Sequence, residues 1–224
     1  MIETIDILDI NISRISSKEA MKLVIRFCGS EALSVVEVMN LDTAMQLDGN
    51  EELIRSMEDF DLILPGDDHI LEAANITEKK LLEEARGKTF TKLLLKYLNR
   101  EKSRIFLLTN SEEEGKEFYH LLNSRYENIQ LVGMAKVSEE NRSDDMLVNA
   151  INGGEVECVL SILSTPLQED FILKNRNLLN ARIWLGIGKD YTISSKERLI
   201  SEKLTQFLKK KILKIRIQQR KNML

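Results

Sequence analysis

Short apolar runs alternate with helical patterns along most of the chain, and this alternation constrains the fold more strongly than any other feature. Because parallel strands are buried on both faces and are joined by helical crossovers, the pattern predicts an α/β fold with a mostly parallel central sheet flanked by helices. Two short strands are predicted within residues 4–12. The other predicted strands are residues 34–39, 62–64, 104–108, 129–132, 157–163 and 181–186. The predicted helices are residues 16–27, 41–47, 51–57, 88–99, 111–124, 144–151 and 166–175.

The composition allows a real hydrophobic core. Hydrophobic residues make up 43% and charged residues 30% of the 224 positions, slightly below and slightly above the averages for globular domains. Cys28 and Cys158 lie in apolar segments without metal-ligand spacing, so we expect buried thiols in a reducing compartment and no metal site. The sequence shows neither a secretory signal nor an apolar run of about 20 residues, which predicts a cytoplasmic protein with at most a surface contact to membrane.

The C-terminal segment carries a charge opposite to that of the rest of the chain. Residues 196–224 contain ten Lys or Arg and two Glu, a net of +8, whereas residues 1–195 carry −12. Apolar side chains recur in the segment at helical spacing, at Ile200, Leu204, Leu208, Ile212 and Ile215. We therefore expect an α/β core, residues 1–195, followed by a basic amphipathic C-terminal helix, residues 196–224.

This basic helix is expected to contact an anionic membrane surface, because its apolar spacing and its charge agree. The basic residues predicted to make the contact are Lys209, Lys210, Lys211, Lys214, Arg216 and Arg220. A solvated helix and a helix that contacts another protein are the alternatives. Nucleic acid is not expected as a partner, because the body is acidic and no aromatic platform accompanies the basic run.

Ligands of parallel α/β sheets bind beyond the carboxyl ends of the strands, so the loops that follow the strands are the candidate sites. After the strand at residues 62–64 the chain reads Pro-Gly-Asp-Asp-His. In that loop Asp67 or Asp68 can serve as a general base, and His69 can share a proton or a metal. The alternative is a turn whose aspartate caps the next helix.

Two other strand–helix junctions were compared as possible ligand sites or structural helix starts. Thr165 is predicted to cap a helix that has Pro166 in its first turn, and such a helix start can seat a phosphate or can be an ordinary capped end. Ser111 is followed by three glutamates, which satisfy the helix dipole internally. That second junction is therefore interpreted as a structural helix start.

Several segments, taken in order, resemble the WecG/TagA/CpsF glycosyltransferases. The segments are IDILDINISRISSKEAM at 5–21, VVEVMNLDTAMQLDGNEELIRSMEDFDLILPGDD at 35–68, RIFLLTN at 104–110, YENIQLVGM at 126–134, STPLQEDFILKNRNLL at 164–179 and IWLGIG at 183–188. The resemblance implies a Rossmann-like fold and transfer of an N-acetylhexosamine-type sugar from a UDP donor to a polyprenyl-diphosphate-linked acceptor. It also implies that the basic C-terminal appendage docks at the membrane and helps to complete the active site.

The family motifs are only partly retained. Of the family's Thr-x-Asn motif at the end of a main strand, only Asn40 remains. In the family's Pro-Asp-Gly motif the Asp follows the Pro directly, whereas here Gly66 follows Pro65 and the Asp, Asp67, comes one position later. The family's motif arginine aligns with Glu84, with Arg86 and Gly87 nearby.

Of Gly-x-Gly-x-Pro-x-Gln-Glu, Pro166, Gln168 and Glu169 remain, whereas Ile162 and Ser164 replace both glycines. A later Gly-Gly pair has become Gly188-Lys189. Since glycine permits close backbone approach, these losses describe an eroded or re-purposed member.

The resemblance assigns the catalytic base to Asp67, with Asp68 second. The residues that it implies for substrate binding are Asn40, Arg86, Gly87, Thr165, Gln168 and Lys189. Cations from Lys189 or the basic helix would neutralise the leaving diphosphate. No cofactor or metal is expected.

Three functions remain open from the sequence. The first is a glycosyltransferase of polysaccharide or teichoic-acid assembly, peripheral to the inner face of the bacterial cell membrane. The second is a catalytically inactive paralogue that serves as a binding or scaffold subunit and partners an intact relative. Whether the protein forms a homo- or a hetero-oligomer is left open. The third is an enzyme that modifies a nucleotide sugar with a different acceptor.

Overall fold

The computed structural model describes residues 2–140, 142–189 and 200–222. Its centre is a six-stranded sheet in which every pair of neighbours is parallel. The strands are β3 (Ser34–Met39), β4 (Leu62–Pro65), β5 (Arg104–Thr109), β6 (Gln130–Lys136), β7 (Cys158–Ile162) and β8 (Ile183–Gly186). Their order across the sheet is β4-β3-β8-β7-β5-β6. The α/β class and the mostly parallel sheet predicted from the sequence are thus confirmed.

A separate antiparallel hairpin precedes the sheet. It joins β1 (Thr4–Ile7) to β2 (Ile10–Ser13). Its two turn residues, Leu8 and Asp9, have φ angles of 56° and 67°, and paired positive φ angles are typical of a tight two-residue hairpin turn. The interpretation of residues 4–12 as two short strands is therefore confirmed.

Helices cover both faces of the sheet. They are α1 (Ser17–Cys28), α2 (Leu41–Leu47), α3 (Glu51–Ser56), α4 (Asp68–Ala73), α5 (Lys79–Arg86), α6 (Thr89–Glu101), α7 (Glu112–Arg125), α8 (Asp144–Gly153), α9 (Leu167–Asn175) and α10 (Ile200–Lys221), with a short 3₁₀ helix at Met57–Asp59. The sequence pattern gave no bounds for α4, considered only as the helix that an aspartate of the loop would cap, and did not predict α5. Both are short, and Asn75 between them adopts a left-handed φ of 62°, so no long helical period runs through this segment.

The strands send alternate side chains to two apolar layers, as the period of two in a β-strand requires. In β3, Val35 and Met39 join the layer that contains Trp184 and Phe171, whereas Val36 and Val38 join the layer formed with α1, α6 and α7. Both layers are closed by helices, so five of the strands are buried on both faces, whereas the edge strand β6 is partly exposed. This leaves the carboxyl ends of the strands as the edge at which polar groups gather.

The C-terminal helix α10 packs against the body of the protein. Its Leu213 and Ile217 are buried in the same apolar layer as Trp184, next to α2 and α4. The predicted boundary at residue 195 lies outside the described residues. None of the helices in the described part of the chain combines the length and the apolar character that a membrane span requires.

Candidate functional site

Asp67 links the ends of two neighbouring strands. Its Oδ1 accepts a hydrogen bond of 2.9 Å from the N–H of Ile70, which makes it the N-cap of α4. Its Oδ2 accepts one of 3.1 Å from the N–H of Leu41 at the start of α2. The carboxylate therefore holds together the helix starts that follow β3 and β4. The alternative interpretation, a turn whose aspartate caps the next helix, describes the role that the structure gives to Asp67.

Gly66 brings the two strand ends into direct contact. Its N–H donates a hydrogen bond of 2.6 Å to the carbonyl oxygen of Met39. A Cβ at this position would lie 3.0 Å from both the carbonyl carbon and the oxygen of Met39. Glycine is thus required by close backbone approach, and the Pro-Gly step sets where Asp67 emerges from the sheet.

The environment of Asp67 affects its proton affinity. Burial raises the pKa of the Asp67 carboxyl above its ordinary value, and the hydrogen bonds from Ile70 and Leu41 oppose that shift. A raised carboxyl pKa makes the carboxylate a stronger base near neutral pH. Asp67 thus combines a fixed position at the strand ends with a raised pKa.

Asp68 has a different partner. It is buried, and its Oδ2 lies 2.6 Å from both Nε and Nη2 of Arg86, whose side chain is mostly exposed. This ion pair joins the first turn of α4 to the last turn of α5, which ends at Gly87. His69 lies on α4 with its Nδ1 3.7 Å from Glu72 Oε2. Asp68 and Arg86, predicted for different roles, are therefore neutralised by each other.

At the start of α9, the polar side chains bond to one another. Gln168 is fully buried; its Nε2 donates to Glu37 Oε1 at 2.5 Å, and its Oε1 accepts from the N–H of Gly188 at 3.3 Å. The hydroxyl of Thr165 donates to Glu169 Oε1 at 3.0 Å. The predicted cap at Thr165 was wrong by one residue: α9 begins at Leu167 with Pro166 at the N-cap.

The loop that leads into α9 is bonded to the end of β5. Asn110, at the end of β5, accepts a 2.7 Å hydrogen bond from the N–H of Ser164 and donates one of 3.1 Å to its hydroxyl. Lys189 is exposed in the loop that follows β8, and its N–H donates to the carbonyl of Leu163 at 3.1 Å. The structure thus brings Gln168 and the Gly188–Lys189 loop together.

Glu37 was missed by the sequence analysis. It is 1% exposed in the middle of β3, and its Oε2 finds no hydrogen-bond partner among the described residues. Burial, together with the charge of Glu169, raises its pKa well above the ordinary value, and burial raises the pKa of Glu169 to about 7. The available signal was a single charge inside the apolar run of a strand buried on both faces, where charge is rare.

A small cleft opens beside the end of β4, between α1, α5 and α6. It encloses about 20 Å³. Its lining includes Gly66, Glu84 and Thr89, with apolar walls from residues such as Leu64 and Phe90, whereas Asn40, Asp67 and Gln168 are not among the described residues that line it. Glu84 therefore contributes a carboxylate to this cleft, and Lys88 contributes a cation.

The basic side of α10 faces acidic residues of the body. Lys209 lies 2.8 Å from Asp42 and Lys210 lies 2.7 Å from Glu72. Arg216 and Arg220 both pair with Asp48. Four of the six side chains predicted to contact membrane thus form ion pairs within the protein, next to α2 and α4, the helices that Asn40 and Asp67 cap.

The opposite face of α10 is exposed and both apolar and basic. Lys211 and Lys214 are exposed there, together with the large apolar side chains of Phe207, Leu208, Ile212 and Ile215. Three members of the predicted apolar stripe, Leu208, Ile212 and Ile215, therefore face outward. The side chains of its other two members, Ile200 and Leu204, lie outside the described residues.

Comparison with known proteins agrees with the resemblance noted from the motifs. The profile of the glycosyl transferase WecG/TagA/CpsF family matches residues 5–198. The chain is also 24% identical over 162 residues to the N-acetylglucosaminyldiphosphoundecaprenol N-acetyl-beta-D-mannosaminyltransferase of Bacillus subtilis (strain 168). That alignment covers 72% of this chain and 62% of the relative, so the chain spans less than two thirds of the relative's length. Since the profile match extends over most of the chain, this protein belongs to the WecG/TagA/CpsF glycosyltransferase family.

Proposed function

We propose that the protein is a glycosyltransferase that moves an N-acetylhexosamine-type sugar from a UDP donor to a polyprenyl-diphosphate-linked acceptor. The product would enter a bacterial surface polysaccharide or teichoic acid. Family membership supports sugar transfer, and the name of the Bacillus subtilis relative supports a lipid-linked acceptor. The position and the environment of Asp67 support its role as the base that takes the proton of the acceptor hydroxyl.

The observation that carries this proposal is the location of Asp67 between the ends of β3 and β4. Ligands of parallel sheets bind at this edge, and burial raises the pKa of Asp67. Each oxygen of its carboxylate accepts one backbone hydrogen bond and so keeps a further lone pair for an acceptor hydroxyl. Asp67 would take the hydroxyl proton as the oxygen attacks the anomeric carbon and UDP departs.

The remaining components of the reaction are assigned by charge. Lys189 is exposed in the loop beside Gln168, and it would stabilise the negative charge that develops on the leaving diphosphate. The outward face of α10, with Lys211, Lys214 and its apolar side chains, would rest on an anionic leaflet. Such a contact would bring the site to its lipid-linked acceptor at the inner face of the membrane.

Calorimetric titration with UDP and with UDP-N-acetylglucosamine tests the proposal, together with turnover in the presence of a polyprenyl-diphosphate sugar. We expect wild-type protein to bind and to turn over, and Asp67→Asn to retain binding while losing about 10²–10⁴ in rate. Asp68→Asn, which removes the partner of Arg86, is the matched control and should lose much less. Absence of binding at millimolar ligand would falsify the enzymatic proposal.

A catalytically inactive binding subunit is the second candidate, and a specific observation favours it. Gln168 is fully buried with both amide atoms bonded inside the protein, and the Asn40 side chain caps α2 through the N–H of Thr43 at 2.8 Å. Both residues were expected to hold the donor. In this case, the protein would bind an intact family member without UDP-sugar turnover, as co-purification with such a relative would show.

A further inference from the structure

Two consecutive backbone N–H groups hold the loop that carries Lys189. The N–H of Lys189 donates to the carbonyl oxygen of Leu163 at 3.1 Å. The N–H of Gly188 donates instead to a side chain, at 3.3 Å from Gln168 Oε1. Gly188 has a left-handed φ of 67°, so the chain turns sharply just before Lys189. The position of Lys189 therefore depends in part on how the amide of one buried side chain is oriented.

Glu37 orients that amide. Gln168 Nε2 donates to Glu37 Oε1 at 2.5 Å, which directs the other amide atom, Gln168 Oε1, toward the N–H of Gly188. The reverse orientation would place an NH₂ group against the Gly188 N–H, and two donors cannot bond to each other. Glu37 Oε1 remains an acceptor even when the carboxyl carries a proton on its other oxygen. A residue in the middle of β3 thus sets the hydrogen bond that Gly188 makes.

Gly186 gives this pair of side chains its space. It lies opposite Glu37 in the parallel pairing of β3 with β8, and a Cβ on Gly186 would meet both Glu37 Oε2 and Gln168 Nε2. Glu37 and Gln168 are both buried, and burial of a carboxyl in an otherwise apolar strand is unfavourable. An apolar side chain of similar volume would fill the same space without that cost. Packing alone therefore does not account for a carboxyl at this position.

We propose that Glu37 is a positioning residue for the transfer reaction, which acts through Gln168 and the Gly188 N–H to hold Lys189 beside the leaving diphosphate. The inference rests on the proposed function, which assigns the diphosphate to Lys189. Lys189 is exposed in the loop that follows β8, at the edge where ligands of parallel sheets bind. Glu37 lies inside the sheet, so its effect on the reaction is indirect.

Turnover of UDP-N-acetylglucosamine with a polyprenyl-diphosphate sugar tests this role. We expect Glu37→Leu to lower kcat about 10–100-fold while KM changes less than about threefold, because a displaced Lys189 no longer meets the charge that develops in the transition state. Glu37→Gln keeps an acceptor oxygen for Gln168 and should keep kcat within about threefold of wild type. Val35→Ala, on the same face of β3, controls for damage to the core and should leave kcat unchanged.

A double-mutant cycle tests whether Glu37 acts through Lys189. In a Lys189→Ala background the group that Glu37 positions is absent, so Glu37→Leu should have little further effect on kcat. A change in Glu37 that acts only through general destabilisation would lower kcat by the same factor in both backgrounds. Equal factors in the two backgrounds, or equal losses in Glu37→Leu and Glu37→Gln, would overturn the proposal.

The amide resonance of Gly188 gives a readout that needs no substrate. In ¹⁵N-labelled full-length protein, Glu37→Leu should shift this resonance and speed its hydrogen exchange, because the acceptor for the Gly188 N–H is no longer held in place. Glu37→Gln and Val35→Ala should leave the resonance near its wild-type position. Gln168→Met breaks the same chain of hydrogen bonds from its other end and should shift Gly188 as well, so the test holds even where Glu37→Leu fails to fold.

The two readouts separate the positioning role from the transferase activity. Wild-type protein without turnover would overturn the transferase proposal, whereas a Gly188 shift in Glu37→Leu and Gln168→Met but not in Val35→Ala would still support Glu37 as the residue that sets the loop. An unchanged Gly188 resonance in Glu37→Leu would overturn the positioning role, even in a protein that turns over UDP-sugar.

Discussion

The side-chain amide of Gln168 donates a 2.5 Å hydrogen bond to the carboxylate of Glu37, from a helix start to the middle of a buried strand. The two residues are 0% and 1% exposed, respectively. Glu169, next to Gln168, is also fully buried, and no cation among the described residues pairs with either carboxylate. Since two buried like charges in a low dielectric are unfavourable, burial and the charge of Glu169 raise the pKa of Glu37, and burial raises the pKa of Glu169.

The first consequence concerns stability. We expect the free energy of unfolding to fall as the pH rises from about 4.5, the ordinary pKa of Glu169, to about 7, its pKa in the folded protein. In this window the folded protein keeps a proton that the unfolded chain has released. Stabilisation that is present below the unfolded pKa is therefore lost as the pH rises through the folded pKa. For Glu169 alone the loss is on the order of 3 kcal/mol, and urea denaturation across this pH window measures it.

Glu37→Gln tests how much the pair of buried acids, Glu37 and Glu169, contributes to this pH dependence. The substitution keeps an acceptor oxygen for Gln168 and removes one of the two acids, so the decrease in stability across this pH window should become smaller. Glu113→Gln, on the exposed face of α7, should leave the wild-type slope unchanged. A slope that is identical in Glu37→Gln and wild type would show that the pair does not titrate as described.

A second prediction concerns the close packing of Glu37 and Gln168 against Gly186. A Cβ at this position would lie 2.1 Å from Glu37 Oε2 and 2.8 Å from Gln168 Nε2. We expect Gly186→Ala to destabilise the protein by about 1–3 kcal/mol, as overpacking of a core does. In a Glu37→Ala background the nearest atom is absent and the added cost should be clearly smaller. A double-mutant cycle from thermal or urea unfolding measures this coupling, and strictly additive effects would contradict it.

A third prediction concerns the docking of α10. Leu213 is 0% exposed and Ile212 is 44% exposed, although the two are adjacent in sequence. Leu213→Ala should lower the free energy of unfolding by about 2–4 kcal/mol, because it leaves a cavity against α2 and α4. Ile212→Ala is the matched control, with an expected change within about 0.5 kcal/mol. Similar costs for both substitutions would mean that the helix does not pack through this face.

A fourth prediction separates the two faces of α10 in membrane binding. Lys211→Ala combined with Lys214→Ala should weaken sedimentation with anionic vesicles about thirtyfold, since each exposed cation contributes about 1 kcal/mol near an anionic surface. Lys209→Ala combined with Lys210→Ala removes the same charge from residues that pair with Asp42 and Glu72, and should have a smaller effect. High salt should weaken binding of the wild type. A larger loss from the paired lysines would reverse the assignment of the faces.

The fold could be predicted because buried strands and helix starts have recognisable local sequence patterns. The apolar run at residues 34–39 is the strand β3, and the capping box at Ser16 and Glu19 opens α1 as expected. Residues 68–86 were harder, because two short helices separated by Asn75 carry too few turns to show a period. The family assignment followed from motif order and was confirmed over residues 5–198.

The candidate site was predictable in its location but not in its contacts. Because the carboxyl ends of parallel strands share one edge, the sequence alone determined that Asn40, Asp67 and Gln168 belong near that edge. Only the tertiary structure decided the partners: Glu84 bonds Ser17 across 67 residues, and Gln168 bonds Glu37 across 131. The spacing of apolar residues along a helix or strand indicates which side of it is buried. It does not indicate the hydrogen-bond partner of a polar side chain, because that partner is whichever distant group the packing brings within about 3 Å.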